Sequence, residues 1–457
     1  MLTKDQAADL FARIRKHSSA DELEVIFYAT RNALTRFANN VIHQNVAEDN
    51  IAISVRTVFD GRTARATTNK LDDDSLKRVV QASENLAKVQ QPDPDLLPMM
   101  ASSPPRSIPK RYFERTADMA PELRAGIVQQ IVSAAKKEKL TTAGIVANSE
   151  STEGIFNSRG LSRWHKQTSS EISITMLAEN SSGWQKANSP DVANLDATTL
   201  AQTAARKAAE SAKPKEIPAG KYTVILEPAA VLDMVGFMFY DFGGLAILDQ
   251  RSFLTNRVGT KLFGANIDIS DDVGHALQSG SPFDGEGAPR QTVKLVEGGV
   301  VKRVVYSRNT AERMKHSEHK DRVGIVEPTG HGFPLPNEIG EAPMNIVFGA
   351  AVDPKSLDQM IGSTERGILV TRLWYIREVD PYEKILTGMT RDGTFYVEDG
   401  NIRYGVLNFR FNESLIHMLS NAEAMSTPVR ASGEESFDMV VPAMKIKDFN
   451  FTEVTKF

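Results

Sequence analysis

An ordered set of helix, strands, turn and helix is written twice in the first half of this 457-residue chain, at a separation of about 120 residues. A duplication constrains the fold strongly, because each copy must bury the apolar stripes of its helices on its own strands. In the first copy Ala7, Leu10, Phe11 and Ile14 form a helical stripe. Strands are expected at 23–30, 34–44 and 51–59, where Ile51, Ile53 and Val55 alternate. The turn Asp60-Gly61-Arg62 then precedes a helix carrying Leu76, Val79, Val80 and Leu86, with Asp74 or Ser75 as its expected cap. In the second copy Pro121 suits the first position of a helix bearing Leu123, Ile127, Ile131 and Ala135. Strands at 142–148, 154–157 and 171–178 follow, then a turn at Ser182-Gly183-Trp184. An alanine-rich helix capped by Thr198 or Thr199 and stopped by Pro214 completes the copy.

Prolines at 92, 94, 104 and 105 mark a linker between the copies, since consecutive prolines cannot join a helix or a central strand. A second boundary falls at Pro214 to Pro218. Beyond it strands dominate, expected at 221–226, 291–296, 300–306, 368–376, 402–411 and 439–446. Helices are fewer there: 229–240, 355–361 behind Asp353-Pro354 and ended by Gly362, and 414–422. The expected class is α+β, with a duplicated helix-sheet-helix region at 1–103 and 106–214 and a β-rich domain at 217–457.

Composition removes several kinds of chemistry. With no cysteine, disulfides, thiolate catalysis and Cys-ligated zinc are excluded, and a metal would need His, Asp or Glu. A net charge of -4 with scattered Lys and Arg offers no footprint for phosphate backbones, so no nucleic-acid partner is expected. Met1-Leu2-Thr3-Lys4-Asp5-Gln6 lacks a signal-peptide pattern, and no run approaches the roughly 18 apolar residues of a membrane span. A cytoplasmic location without membrane contact is the expectation.

Four segments carry a family resemblance: Ser281-Pro282-Phe283-Asp284-Gly285-Glu286-Gly287-Ala288-Pro289; Leu386-Thr387-Gly388-Met389-Thr390-Arg391-Asp392-Gly393-Thr394-Phe395; Arg36-Phe37-Ala38-Asn39-Asn40; and Ile42-His43-Gln44-Asn45. Together they resemble the TldD/PmbA family, peptide-processing proteins once described as modulators of DNA gyrase. The resemblance implies two homologous subunits enclosing a tunnel that admits unfolded or small peptides. Catalytic members carry a His-Glu-x-x-x-His zinc motif on a helix after a strand similar to 222–226. This chain has no His-Glu dipeptide, and alignment on that strand and its following proline puts Gly236, Phe237 and Asp241 at the three positions. One carboxylate cannot hold zinc by itself. The implied role is that of the PmbA or TldE branch: a subunit without catalytic or metal-ligating residues, whose TldD-like partner carries the zinc.

Asp284 and Glu286 lie two residues apart on a tight turn, able to bind a cation, orient a peptide amine or cap backbone N–H groups; the residues alone favour capping. Arg391 and Asp392 suit either a self-satisfied pair or a carboxylate clamp. In Asn408-Phe409-Arg410-Phe411-Asn412 the polar side chains share one strand face and the phenylalanines the other. The resemblance turns Asp284, Glu286, Arg391, Asp392, Arg410 and Asn412 into expected substrate-binding residues. Two alternatives stand beside it. One is a homodimeric binding or scaffold protein. The other is a self-sufficient metallohydrolase using His316, His319 and His331, although the charged run 314–322 has the composition of a solvated segment. His43, His165, His275 and His417 stand alone, and no Gly-x-Ser-x-Gly elbow or phosphate-binding glycine loop occurs.

Overall fold

The computed structural model describes residues 1–455. Its first half is one antiparallel sheet of six strands in the order β3-β2-β1-β4-β5-β6. These are Glu22–Ala38 (β1), Val41–Phe59 (β2), Arg62–Thr68 (β3), Thr141–Asn157 (β4), Ser162–Ala178 (β5) and Ser181–Ser189 (β6). The two copies therefore join edge to edge, β1 pairing antiparallel with β4 from Glu24↔Asn157 to Phe37↔Gly144. The strands are longer than the apolar runs predict, because the polar middle of β1 continues the alternation and keeps Arg31 to Leu34 in register with β2. Two-residue hairpins set the lengths. Asn39-Asn40 and Asp60-Gly61 all have positive φ, the geometry whose twist matches the flanking strands. In the second copy the hairpin falls at Glu179-Asn180, so Ser182-Gly183-Trp184 lies within β6 and is no turn.

Helices cover one face of this sheet. Lys4–His17 (α1) and Asp73–Val89 (α2) bury Leu10, Ile14, Leu76 and Val80 against Val25, Phe27, Ile53 and Val55. After the single turn Glu114–Ala117 (α3), Pro121–Lys137 (α4) and Ala197–Glu210 (α5) bury Val128, Ile131, Ala201 and Ala204 against Phe37, Val146, Ile172 and Ile174. Each large aliphatic or phenyl side chain so buried contributes about 1.5–3 kcal/mol. The caps are Asp72 and Asp196, two or three residues ahead of the expected ones, since each carboxylate accepts an N–H two or three residues on. Asn40 stitches the copies together: its side chain donates to the Leu140 carbonyl and accepts the Thr142 N–H.

The second half holds strands Gly220–Leu226 (β7), Ile269–Asp271 (β8), Val293–Glu297 (β9), Val300–Val301 (β10), Ile346–Phe348 (β11), Arg366–Asp380 (β12), Ile385–Glu398 (β13), Asn401–Gly405 (β14), Phe409–Ser414 (β15), Ala422–Met425 (β16), Val429–Ala431 (β17), Met439–Val441 (β18) and Met444–Val454 (β19). Five of them close a barrel, β7-β12-β13-β15-β19 and back to β7. Phe409, Phe411, Phe449 and Phe451 are buried there, Phe409 stacking on Phe451 at 4.7 Å. A second sheet, β10-β9-β8-β11-β18-β17, packs into the same apolar core. The expected strands 300–306 and 402–411 are shorter or interrupted, β10 ending at Val301 and the strand breaking between β14 and β15, with no strand at 407–408. The expected helix 229–240 is α-helical only over Pro228–Val235 (α6), then tightens to a 3-10 helix over Gly236–Phe242. The helix expected from 355 starts at Leu357, capped by Ser356. No helix among the described residues is long and apolar enough to cross a membrane.

Candidate functional site

The open face of the six-stranded sheet meets the second half, and the acidic turn lies in that contact. Phe283 packs with Ile155 and Leu161 of the second copy, and the Arg163 guanidinium donates to the Gly287 carbonyl. Gly287, at φ +81, has no room for a side chain, because a Cβ there would meet Leu161 Cδ2 at 2.3 Å. Asp284 is 1% exposed and accepts the N–H groups of Glu286, Ala288 and Gly332. Glu286, 4% exposed, accepts the Arg308 N–H, with that guanidinium 3.7 Å away. Burial, then the neighbouring Asp284 charge, push the Glu286 carboxyl up to about 7. Both expected substrate-binding carboxylates thus sit inside the fold. They are interior groups satisfied by backbone donors, the capping alternative that residues 282–289 favoured on their own.

The linker completes this contact. Arg106 donates to the Arg290 carbonyl, to Asp272 and to the Thr292 hydroxyl, and Arg111 donates to the carbonyls of Val273, His275 and Ala276. Arg65 of β3 adds a bond to the Leu335 carbonyl while holding Glu24 at 2.6 Å.

Arg391 and Asp392 occupy a different setting, the wall of a cleft of about 700 Å³ between the β5-β6 hairpin, the end of α5 and the barrel. Asn180, Ser181, Ser182, Lys213, Thr394 and Asn408 contribute polar groups to it. A bulge between β12 and β13 creates the wall: Asp392 takes φ +54 and Gly393 φ +122, which turns Asp392 inward. There its carboxylate is bound by the buried Arg372 guanidinium and the Ser182 hydroxyl. Arg372 lies 4.8 Å from the Trp184 ring and 5.3 Å from Trp374, and Arg391 lies 4.8 Å from the same Trp374. Asp392 is thus neutralised from inside, leaving Arg391, half exposed and 3.7 Å from it, as a cation facing the cleft with Lys213. Arg410 and Asn412 lie on β15 outside the cleft lining; Phe409 and Phe411 are fully buried while Arg410 is half-buried and Asn412 exposed, the alternation expected of that strand.

The three positions aligned with the zinc motif converge on one place. Gly236, Phe237 and Asp241 line a second cavity of about 600 Å³ with Tyr240, Glu378, Lys384 and Glu435. Two of the three offer no ligand atom on their side chains. Asp241 is engaged by the Lys384 ammonium at 2.6 Å, and Lys384 also donates to Glu378 at 2.6 Å. Burial pushes the Asp241 carboxyl up, and Lys384 opposes it. Gly236 is required, since a Cβ would fall 1.9 Å from Ser436 Oγ. This donor set does not fit zinc: the Asp241 and Glu378 carboxylates are already held by an ammonium, and no imidazole is among the lining side chains.

His316, His319 and His331 do not converge, which corrects the metallohydrolase alternative. His316 is exposed beyond the helix Arg308–Lys315 and faces Glu312, whereas His331 is fully buried with Asp271 at 2.9 Å. Among the described residues no group of three or more His, Asp or Glu has metal-binding geometry. Sequence reasoning missed Trp374, Arg372 and Lys384. The first two follow from the β12-β13 register, which places Arg372 opposite Arg391; nothing around Lys384 marks it as buried.

Comparison with known proteins agrees with this architecture. Residues 219–453 match the PmbA/TldA metallopeptidase C-terminal domain, 23–87 domain 1 and 114–212 the central domain of the same family. The chain is 21% identical over 409 residues to metalloprotease PmbA of Escherichia coli O157:H7, covering 86% of this chain and 85% of that one. It is 22% identical over 403 residues to a metalloprotease of Methanothermobacter thermautotrophicus, covering 82% and 81%. The crystal structure of TldE from Thermococcus kodakarensis superposes with a TM-score of 0.85 at 20% identity, covering 98% of this chain and all of that one; at that identity the likeness speaks for the fold.

Proposed function

The chain belongs to the PmbA/TldD metallopeptidase family, and from that premise we propose that it is the zinc-lacking subunit of a TldD/TldE-like cytoplasmic metallopeptidase acting on unfolded peptides. The observation that carries the proposal is the replacement of the motif positions by Gly236, Phe237 and Asp241, with Lys384 bound to the one carboxylate. Hydrolysis needs a metal-activated water, which a homologous TldD-like subunit bearing His-Glu-x-x-x-His supplies. This chain contributes wall and grip. In the cleft, Arg391 and Lys213 favour carboxylate groups of a peptide, while the Asn180 amide beside them takes backbone bonds of any sequence. Selection by disorder follows, because a folded chain cannot present extended backbone to such a surface. Arg410 and Asn412 extend the grip along β15, outside the cleft.

The test is co-expression with a zinc-motif homologue, followed by copurification, zinc content and peptide turnover. Expected is a hetero-complex that cleaves unfolded peptides, while this chain alone, monomeric or homodimeric, does not. A homodimer that ignores every such homologue overturns the proposal in favour of a scaffold. Turnover by the isolated chain, dependent on zinc, overturns it in favour of an enzyme.

A further inference from the structure

We propose that Lys384 is a built-in substitute for a metal ion: its ammonium holds the cation position between the former motif helix and the end of β12, and bars divalent ions from it. An ammonium has three donors and no acceptor. All three have partners here, the Asp241 and Glu378 carboxylates at 2.6 Å each and the Phe237 carbonyl at 3.3 Å. The contacts fall on two of the three motif positions, one through its backbone and one through its side chain. Lys384 is 3% exposed, and its ammonium lies 5.5 Å from the Phe253 ring. Asp241 is fixed from behind by the Phe253 N–H, and its own carbonyl accepts the Ser252 hydroxyl. The backbone is bent to deliver the lysine: Lys384 has φ +48, in a turn whose Asp380 carboxylate accepts the N–H groups of Tyr382 and Glu383.

Two acidic groups converging with a partly buried carbonyl are what a hard divalent ion would bind, since carboxylate and carbonyl oxygens suit Mg²⁺, Ca²⁺ and Mn²⁺. A resident ammonium supplies one of those two positive charges without an open coordination position, and so without Lewis-acid chemistry. The cavity is kept and the ion is not. This inference concerns the chain by itself and stands whether or not a zinc-bearing partner exists.

The experiment uses Mn²⁺ alone as the probe, reading the thermal midpoint of the full-length chain with and without the ion. The wild-type midpoint is expected to stay unchanged and calorimetry to show no stoichiometric Mn²⁺ binding. Lys384→Ala is expected to lower the midpoint by several degrees, and Mn²⁺ to recover at least half of that loss. Adding Asp241→Asn to Lys384→Ala abolishes the recovery. Should K384A not fold, K384M, which keeps the aliphatic stem, is read in the same way. Stoichiometric Mn²⁺ binding by the wild type that D241N removes overturns the proposal, as does a Lys384 variant whose midpoint ignores Mn²⁺.

Discussion

Removing Asp392 tests the account of the cleft wall most sharply. The Asp392→Ala variant leaves the Arg372 guanidinium, 8% exposed at its side chain, without a counter-charge between Trp184 and Trp374. Breaking a buried pair from one side costs about 3–5 kcal/mol, because the remaining charge keeps its desolvation penalty. The two indole faces return roughly 0.5–2 kcal/mol of that through cation–π attraction. The expected loss is therefore about 1–4.5 kcal/mol, against about 0–1 kcal/mol for an exposed pair such as Arg206–Glu210. Replacing both partners, Arg372→Met with Asp392→Ala, removes the stranded charge and should be less damaging than Asp392→Ala alone. Denaturant unfolding followed by tryptophan fluorescence suits the site, since two of the three tryptophans flank Arg372. Amide exchange across β12 and β13 localises the effect. A D392A loss below about 1 kcal/mol, or a double variant whose loss is the sum of the singles, refutes the reasoning.

Further outcomes follow from other parts of the molecule. Glu286 has a folded pKa of about 7, above its unfolded value, so its contribution is present in acid and is lost as pH rises through neutrality. Glu286→Gln should accordingly shrink the fall in thermal midpoint between pH 5 and pH 8; an unchanged profile would clear Glu286 of that role. Gly287→Ala forces a side chain into φ +81, costing about 1–2 kcal/mol in backbone strain, and Leu161→Ala should relieve the contact but not the strain. Arg391→Ala in the assembled complex should raise KM roughly tenfold, the value of one charge-assisted hydrogen bond, without changing zinc content. Arg410→Ala tests whether β15 belongs to the same grip, and unchanged kinetics would remove it.

The duplication and the strand-rich second half were legible because period and turn chemistry are local. Leu10 with Ile14, Ile51 with Ile53, and Asp60-Gly61 each announce their element within a few residues. The edge-to-edge joining of the copies was not, since β1 and β4 pair across more than a hundred residues and nothing in either strand names its partner. The acidic turn was recognised as particular, but its burial was not legible for the same reason: its neighbours Leu161 and Arg163 come from a distant segment. The aligned motif positions pointed to the cavity lined by Gly236, Phe237 and Asp241. They could not reveal Lys384, because a lysine's burial depends on carboxylates brought to it by folding.

The linker has a consequence for synthesis. Arg106 waits for the carbonyl of Arg290, made 184 residues later, and at about 5–20 residues per second a ribosome needs on the order of 10–40 s to deliver it. Once Glu210 is made, the duplicated sheet can fold on its helices, and for roughly the last 80 residues of that interval, about 4–16 s, its open face and the two linker arginines remain without their docking surface. A nascent chain of this length is thus a half-built clamp, exposed to chaperones or to a second nascent copy until the acidic turn emerges to close it.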